Sequence, residues 1–552
     1  MRSFRLAMCE PARWLVVAAC SGALLATAQN TLAPSQSAAT GTMSGPYRIA
    51  GVLVNAASGE PVRKATVEAL KEDDSHAVAS CVTDGEGRFA LERLAGTKYQ
   101  LTASKRGFRT AYYDEHEGFS TAIVTGPDQD TTHLQFKLMP GAVVRGVVTG
   151  NDGEPVASAR VMLFKQPNYP AAGERIAQVD GTITDDTGAY EFSELAAGEY
   201  LLAVVAEPWF AVHEGAQAKR NAALDVAFPV TYFDSTTEEG SATPIVLVGG
   251  SHQEANISLH AVPALHLSIS TPRKPDGSVA MPQLQQTLFG NAIPSEVASE
   301  MSDPRAGTAE IGGIAPGHYE LTQGDPPRIV DFDLSSSQQV DPNAGSAAIA
   351  VTGRVRMASG APVAGVPIMI TLARMDGGTG QPVYATPAQH GQFTFDAVSP
   401  GQWAVMATSG DKALSAVAVS VGGVQRAGNV VTLRDRGPDL VVTLSDAATR
   451  VEGFARKDGK GFAGAMIVLL PKNPALWRAL TRRDQSDSDG SFSLQNVAPG
   501  EYTVVAIEDG WALDWTSSEA MARYLPGGTS VTVTEQSGAL IRLTSPLSVQ
   551  MR

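Results

Sequence analysis

The residues of this chain with side chains suited to catalysis or metal binding are nine histidines, one cysteine beyond the N-terminal leader, and an acidic turn, "DSDGSF", at 487–492. Zinc-dependent hydrolysis needs a His-x-x-Glu pair or His-Glu-x-x-His on one helical face. None of His76, His116, His133, His213, His252, His260, His266, His318 and His390 has Glu three residues later; "HEG" at His116 and His213 goes no further. Serine chemistry would call for a Gly-x-Ser-x-Gly elbow, which the sequence lacks. Cys81 precedes "TDGEG" in an alternating segment and reads as a packed, inert thiol. His252, His260 and His266 form the densest histidine group; His260 and His266 would share one face of an unbroken strand, but Pro263 interrupts it, so they read as polar-face residues. No spacing selects the paired Tyr and His ligands of an iron-dependent ring-cleaving site. In "DSDGSF", counting Gly490 as position 6 of a calcium loop puts Gln485 at position 1 and no Glu at position 12.

The acidic turn belongs instead to a spacing that occurs five times: Gly, apolar residues at +2, +4 and +7, and an aromatic at +12. The copies are "GRFALERLAGTKY" from Gly87, "GAYEFSELAAGEY" from Gly188, "GTAEIGGIAPGHY" from Gly307, "GQFTFDAVSPGQW" from Gly391 and "GSFSLQNVAPGEY" from Gly490, without insertion or deletion. The +2/+4 alternation predicts a strand with one face on a core, "LAAG" or "VAPG" a tight turn, and the alternation after the aromatic a second strand. Asp84, Asp185 and Asp487 stand three residues before the repeat Gly, where a carboxylate can cap a turn that the Gly closes at positive φ.

Four copies carry a preceding block in which an alternating strand with Gly51, Gly146, Gly353 or Gly453 leads through a Gly-rich turn to a second strand. The third copy retains only a blurred version around a Pro-Asp-Gly turn at 275–277. Copies one, two and five continue into a tail with an aromatic-rich start and two more strands. Six or seven short strands per unit predict an all-β chain of tandem antiparallel β-sandwiches. The expected divisions are a leader at 1–28, a flexible stalk at 29–45, and sandwiches at 46–139, 140–262, 263–345 (degenerate), 346–445 and 446–552. A string of this kind would be elongated, with helix confined to a possible short segment at 213–226.

"SGEPVRKATVEA…TDGEGRFALERLAGTKYQLTASKRGF" and "DGEPVASARVML…TDDTGAYEFSELAAGEYLLAV" resemble the carboxypeptidase regulatory-like domain, a transthyretin-like sandwich similar also to starch-binding modules. The resemblance extends over most of 46–552, strongest in the first two copies and partial in the third. It implies a seven-stranded Greek-key unit in an exported bacterial protein. The family is a scaffold without catalytic residues of its own, so the resemblance implies no catalytic, cofactor-binding or metal-binding residues.

The first 28 residues run from Arg2, Arg5 and Arg13 through an apolar stretch to Ala26-Thr27-Ala28, the order of a secretory signal peptide; lipidation at Cys20 is the rival reading. Loss of that leader, with its three Arg and one Glu, takes the formal charge from −15 to −17. An acidic chain with scattered cations is a poor partner for nucleic acid. The later sequence has no run of the ~18 apolar residues needed for a transmembrane helix. Export to the periplasm, cell surface or medium is therefore expected, with Cys81 as the lone mature cysteine and no internal disulfide.

The repeat aromatics Tyr99, Tyr200, Tyr319, Trp403 and Tyr502 read as packing residues. Irregular ones, Trp209 and Phe210 among them, fall in or near loops. Trp511 and Trp515 in "GWALDWTS" are the best candidate ligand contacts, since sugar rings stack on exposed aromatics. The expected function is a non-enzymatic envelope or adhesion scaffold without cofactors, whose partners are envelope proteins or extracellular polysaccharide; the alternative is carbohydrate binding through loop aromatics.

Overall fold

The first four repeats spread their strands over two facing sheets, with turns that carry the chain from one to the other; in the last, the closing strand Leu547–Gln550 pairs with both layers and joins them into one nine-stranded sheet. A computed structural model describes residues 45–71, 76–165, 176–214, 220–271, 281–295, 299–303, 307–323, 327–341, 345–363, 368–375, 383–388, 390–409, 414–425, 429–434, 437, 439–445, 449–534 and 540–552. All of these fall in one compact unit, Met43–Arg552. The predicted leader, Cys20, the stalk up to residue 44 and the Pro-Asp-Gly turn of the third copy lie outside the described residues.

In the first sandwich one sheet orders Arg88–Leu94, Tyr47–Asn55 and Leu134–Leu138. The facing sheet orders Ala77–Val82, Thr66–Lys71, Lys98–Ser104 and Ala111–Tyr112, with Ile123–Val124 also on Lys98–Ser104. The fourth follows the same plan: Gln392–Val398, Ile349–Met357, Leu440–Ser445 and Ser415–Val421 face Val383–Ala385, Ile368–Arg374, Gly401–Ser409 and Val430–Leu433. Strand Arg88–Leu94 pairs with the opening strand, whereas Lys98–Ser104 pairs with Thr66–Lys71. The repeated strand-turn-strand is therefore an arch between layers rather than a hairpin within one. Spacing alone does not distinguish the two, because both need one buried face per strand.

Alternation places Phe89, Leu91, Leu94 and Tyr99 in the first core and Phe492, Leu494, Val497 and Tyr502 in the last, each at most 4% exposed. Burial of each such side chain contributes roughly 1.5–3 kcal/mol. The repeat aromatic does more than fill space. Its polar atom donates to the carbonyl four residues upstream: Tyr200 to Ala196 (2.9 Å), Tyr319 to Ala315 (2.9 Å), Tyr502 to Ala498 (2.7 Å), and Tyr99 to Ala95 (3.2 Å). Trp403 keeps the bond with its indole N–H, to Ser399 O at 3.0 Å. One ring thus plugs the core and ties down the turn that crosses between layers. The repeat Gly residues have φ between +66° and +83°, as a turn closed at positive φ requires.

The closing strand of each sandwich lies parallel to its opening strand, as with Gly51–Asn55 on Leu134–Leu138 and Gly353–Met357 on Leu440–Leu444; the other principal pairings are antiparallel. The third copy, blurred in sequence, still closes a core around Leu267, Ile269, Ile311, Tyr319 and Leu321. Among the described residues helix is confined to Trp477–Leu480, Ser518–Ala522 and three-residue 3-10 turns. The described part of 213–226 holds a turn at 222–224 and the start of strand Val226–Ala227, with no helix.

Candidate functional site

The three repeat aspartates fold alike and are used differently. Asp84 Oδ1 accepts from the amides of Glu86 (2.9 Å) and Arg88 (2.8 Å), and Asp185 Oδ1 from Thr187 and Ala189 (2.9 Å each). Both are exposed turn caps. Hydrogen bonds from the Arg88 amide and side chain hold the Asp84 carboxyl below its usual pKa, and those from Thr187 and Ala189 do the same for Asp185. Asp487 keeps the backbone turn, its amide donating to Ser491 O and its carbonyl accepting from Gly490, both at 2.8 Å. Its carboxylate, however, is released from amide capping, because Asp489 Oδ1 accepts the Ser491 amide at 2.9 Å; within the turn Asp487 Oδ2 accepts from Ser491 Oγ at 3.1 Å.

The freed carboxylate points into the first sandwich. Lys98 Nζ donates to Asp487 Oδ2 at 2.5 Å, and the Ala122 amide to Oδ1 at 3.1 Å. Alongside, Ser488 N donates to Ala122 O (2.9 Å) and Val124 N to Ser488 Oγ (2.8 Å), so the turn docks on segment 122–124 through one backbone bond and two side-chain acceptors. Gln485 Nε2 donates to Asp114 O (2.5 Å) and Thr121 Oγ1 (2.7 Å), while His116 Nδ1 lies 3.2 Å from Gln485 Oε1. Gly464, at φ +77°, makes room: a Cβ there would meet Asp114 Oδ2 at 2.7 Å. The first and last sandwiches are therefore joined, where a simple string would leave them apart.

Arg483 centres the second half of this seam. Its Nη1 is 2.6 Å from Glu117 Oε2, and its guanidinium lies over the rings of Trp515 (4.5 Å), Phe119 (5.1 Å) and Trp511 (5.9 Å). Trp511 stacks on His116, with centroids 5.4 Å apart and planes at 8°, and on Phe119 at 5.5 Å. Its Nε1 donates to Gly464 O at 3.3 Å. The structure thus brings Trp511 and Trp515 together, on a 3-10 turn at Gly510–Ala512 and the loop after it, and packs both against one arginine. Lys98, Gln485, Arg483 and Asp487 carry the seam without having been singled out for it. Locally, Asp487 is set apart from Asp84 and Asp185 by the adjacent Ser488 and the alternative cap Asp489, neither of which names a partner in another repeat.

Burial pushes the Asp487 carboxyl above its ordinary pKa despite Lys98, and the half-buried Asp484 is pushed up to about 7, first by desolvation and then by Asp487. The arrangement can hold two surfaces together.

A second polar cluster lies between the second and third sandwiches. Asp225 accepts from His213 Nδ1 and His266 Nε2, each at 2.9 Å, and His266 Nδ1 is 3.1 Å from Glu310 Oε1, which Arg220 also contacts. Desolvation opposes ionisation of Asp225, but the two histidine hydrogen bonds outweigh it and hold its pKa low. His266 is buried, contrary to the polar-face expectation, because the tail of one sandwich folds over the opening strand Leu265–Ser270 of the next; His252 and His260 remain exposed. Among the described residues no group of three or more His, Cys, Asp or Glu is arranged to hold a metal ion. Cys81 is half-buried, and burial raises its thiol pKa.

No curated protein matches the chain. Solved structures that align with it include the Bacillus anthracis TIE protein (9% identity, 88% of this chain and 68% of that one, TM-score 0.16). The minor pilin GBS52 of Streptococcus agalactiae aligns at 15% identity over 42% and 99% of the two chains, with a TM-score of 0.19. The major pilin RrgB of Streptococcus pneumoniae aligns at 10% identity over 89% and 99%, with a TM-score of 0.16. Superpositions this poor carry nothing about activity or partners. The family comparison is more specific: residues 48–139 and 143–228 each match the carboxypeptidase regulatory-like domain.

Proposed function

We propose that this chain is an exported, non-enzymatic scaffold of the bacterial envelope, its sandwiches serving as load-bearing or adhesive modules. One observation carries the reading: the residues that recur from copy to copy serve turns, cores and layer crossings, and where a recurring residue departs from that use, as Asp487 does, it joins one sandwich to another. The basic-then-apolar start of the sequence supports export. No helix of the described residues is long and apolar enough to cross a membrane.

Fractionation of cells carrying the tagged full chain tests this. Recovery from the periplasm, envelope or medium, with no labelling by serine- or cysteine-hydrolase probes, is expected; cytoplasmic retention or specific probe labelling overturns it. Carbohydrate binding remains the second reading, and its aromatics divide into two sets. Trp511 and Trp515 are engaged by Arg483, His116 and Phe119, whereas Trp209, 85% exposed, pairs edge-on with Phe210 on open surface. A glycan array with Trp209→Ala and Trp511→Ala separates them. A hit lost in either variant assigns sugar binding to that site, and a blank array removes the reading.

A further inference from the structure

The seam between the first and last sandwiches joins residues more than 360 positions apart, Lys98 to Asp487 and Glu117 to Arg483. The core around Leu53, Val67, Phe89 and Phe136 belongs wholly to the first sandwich, the cores around Phe492 and Met466 to the fourth and last, and among the described residues no buried hydrophobic cluster spans the seam. What crosses is polar and directional: two ion pairs, the 122–124 edge on the 486–488 turn, the Gln485 bonds, and the aromatic contacts of Trp511. Interfaces of this polar kind resemble those between associating proteins more than those inside a domain.

The two faces are also opposite in their key groups. The first sandwich offers the cation Lys98 and the anion Glu117; the last offers Asp487 and Arg483 in matching places. An identical chain presents the same two faces. The contact is heterologous, one surface against a different one, which is the geometry that closes within a chain or propagates between chains.

We propose that this seam is an exchangeable self-association site: the first sandwich of one copy docks on the last sandwich of a second copy, through the same residues that close the single chain. Within one chain the two faces are tethered, so their effective concentration keeps the closed form dominant in dilute solution. At high local density, as on a crowded envelope, intermolecular pairing competes. The proposal rests on the scaffold reading only for its purpose; the association itself is tested separately.

Charge inversion provides the test. Lys98→Glu sets two carboxylates against each other within the chain, and Asp487→Lys sets two ammonium groups. Mixed in equal amounts, the two variants can pair correctly only between chains: Asp487 of the first with Lys98 of the second, and the two introduced charges with each other. Light scattering behind size exclusion is expected to give one chain mass for each variant alone, twice that mass for the mixture, and one chain mass for the double variant Lys98→Glu/Asp487→Lys. Glu117→Arg and Arg483→Glu form an independent pair that leaves the 487 turn untouched, and circular dichroism establishes that each variant is folded. A mixture of folded variants that stays at one chain mass for both pairs overturns the proposal. Doubling by a single variant alone, or by the double variant, also overturns it, because the association would then not depend on the matched charges. Failure of export in cells, with doubling intact, would sink the scaffold reading and leave this one standing.

Discussion

Lys98 Nζ and Asp487 Oδ2 lie 2.5 Å apart across two sandwiches, with the lysine about a quarter exposed and the aspartate nearly enclosed. Removing the lysine leaves a buried carboxylate without its counter-ion. Lys98→Met is therefore expected to destabilise the seam by about 2 kcal/mol, between the values for exposed pairs and for fully buried ones. Lys98→Met combined with Asp487→Leu should recover part of that loss, which a double-mutant cycle on denaturant midpoints measures directly.

Hydrogen exchange distinguishes the repeat aspartates. Asp487→Ala should speed exchange at the amides of Ala122 and Val124 in the first sandwich, because those donors face Asp487 Oδ1 and Ser488 Oγ. Asp84→Ala and Asp185→Ala should change protection only around their own turns. Equal, local effects in all three would mean that Asp487 is merely another cap.

Arg483→Ala takes the guanidinium away from Trp511 and Trp515 and leaves Glu117 without this partner. A red shift of tryptophan emission and a faster collisional quenching rate are expected. Trp403, buried in the fourth sandwich, supplies an unshifted background.

Asp484 gives the last sandwich a pH dependence with a definite sign. Its folded pKa of about 7 stands above the ordinary carboxylate value, so between about pH 4 and 7 the folded chain holds more protons than the unfolded chain. Its contribution is present in full below about pH 4 and is lost as pH rises towards 7. Asp484→Asn should flatten the melting temperature across that window; an unchanged slope would show that the carboxyl is already ionised.

The opening turn tests backbone geometry. Gly490 has φ +83°, and a Cβ there would lie 2.4 Å from Ala455 O. Gly490→Val is expected to cost at least 1–3 kcal/mol from the strained backbone alone. Tyr502→Phe, which removes the bond to Ala498 O, should cost about 1 kcal/mol. Thermal melts rank the two.

What the sequence displays is whatever repeats within about fifteen residues. Gly87 and its four counterparts, the +2/+4 strand faces and the aromatic at +12 were legible because backbone sterics and alternation act locally. The arch was not, since a strand turning back beside its neighbour and one crossing to the facing sheet expose the same pattern. The seam was further out of reach. Gln485 and Arg483 have ordinary strand surroundings, and their partners Thr121 and Glu117 lie in another repeat. The same distance hid the burial of His266, whose partner Asp225 comes from the preceding sandwich. Trp511 and Trp515 stood out as neighbours, but nothing in "GWALDWTS" announces the arginine between them.

The parallel pairing of first and last strands sets how these sandwiches respond to force. A pull between the two ends of a sandwich drags such strands past one another, loading their evenly spaced bonds together rather than one at a time. Five register positions share that load in the first and fourth sandwiches, but among the described residues only three, Leu267 to Ile269 against Gln338 to Val340, in the third. Under tension the third sandwich is therefore expected to act as the fuse, giving way first and lengthening the chain while its neighbours hold, an order that force spectroscopy on the full chain would reveal.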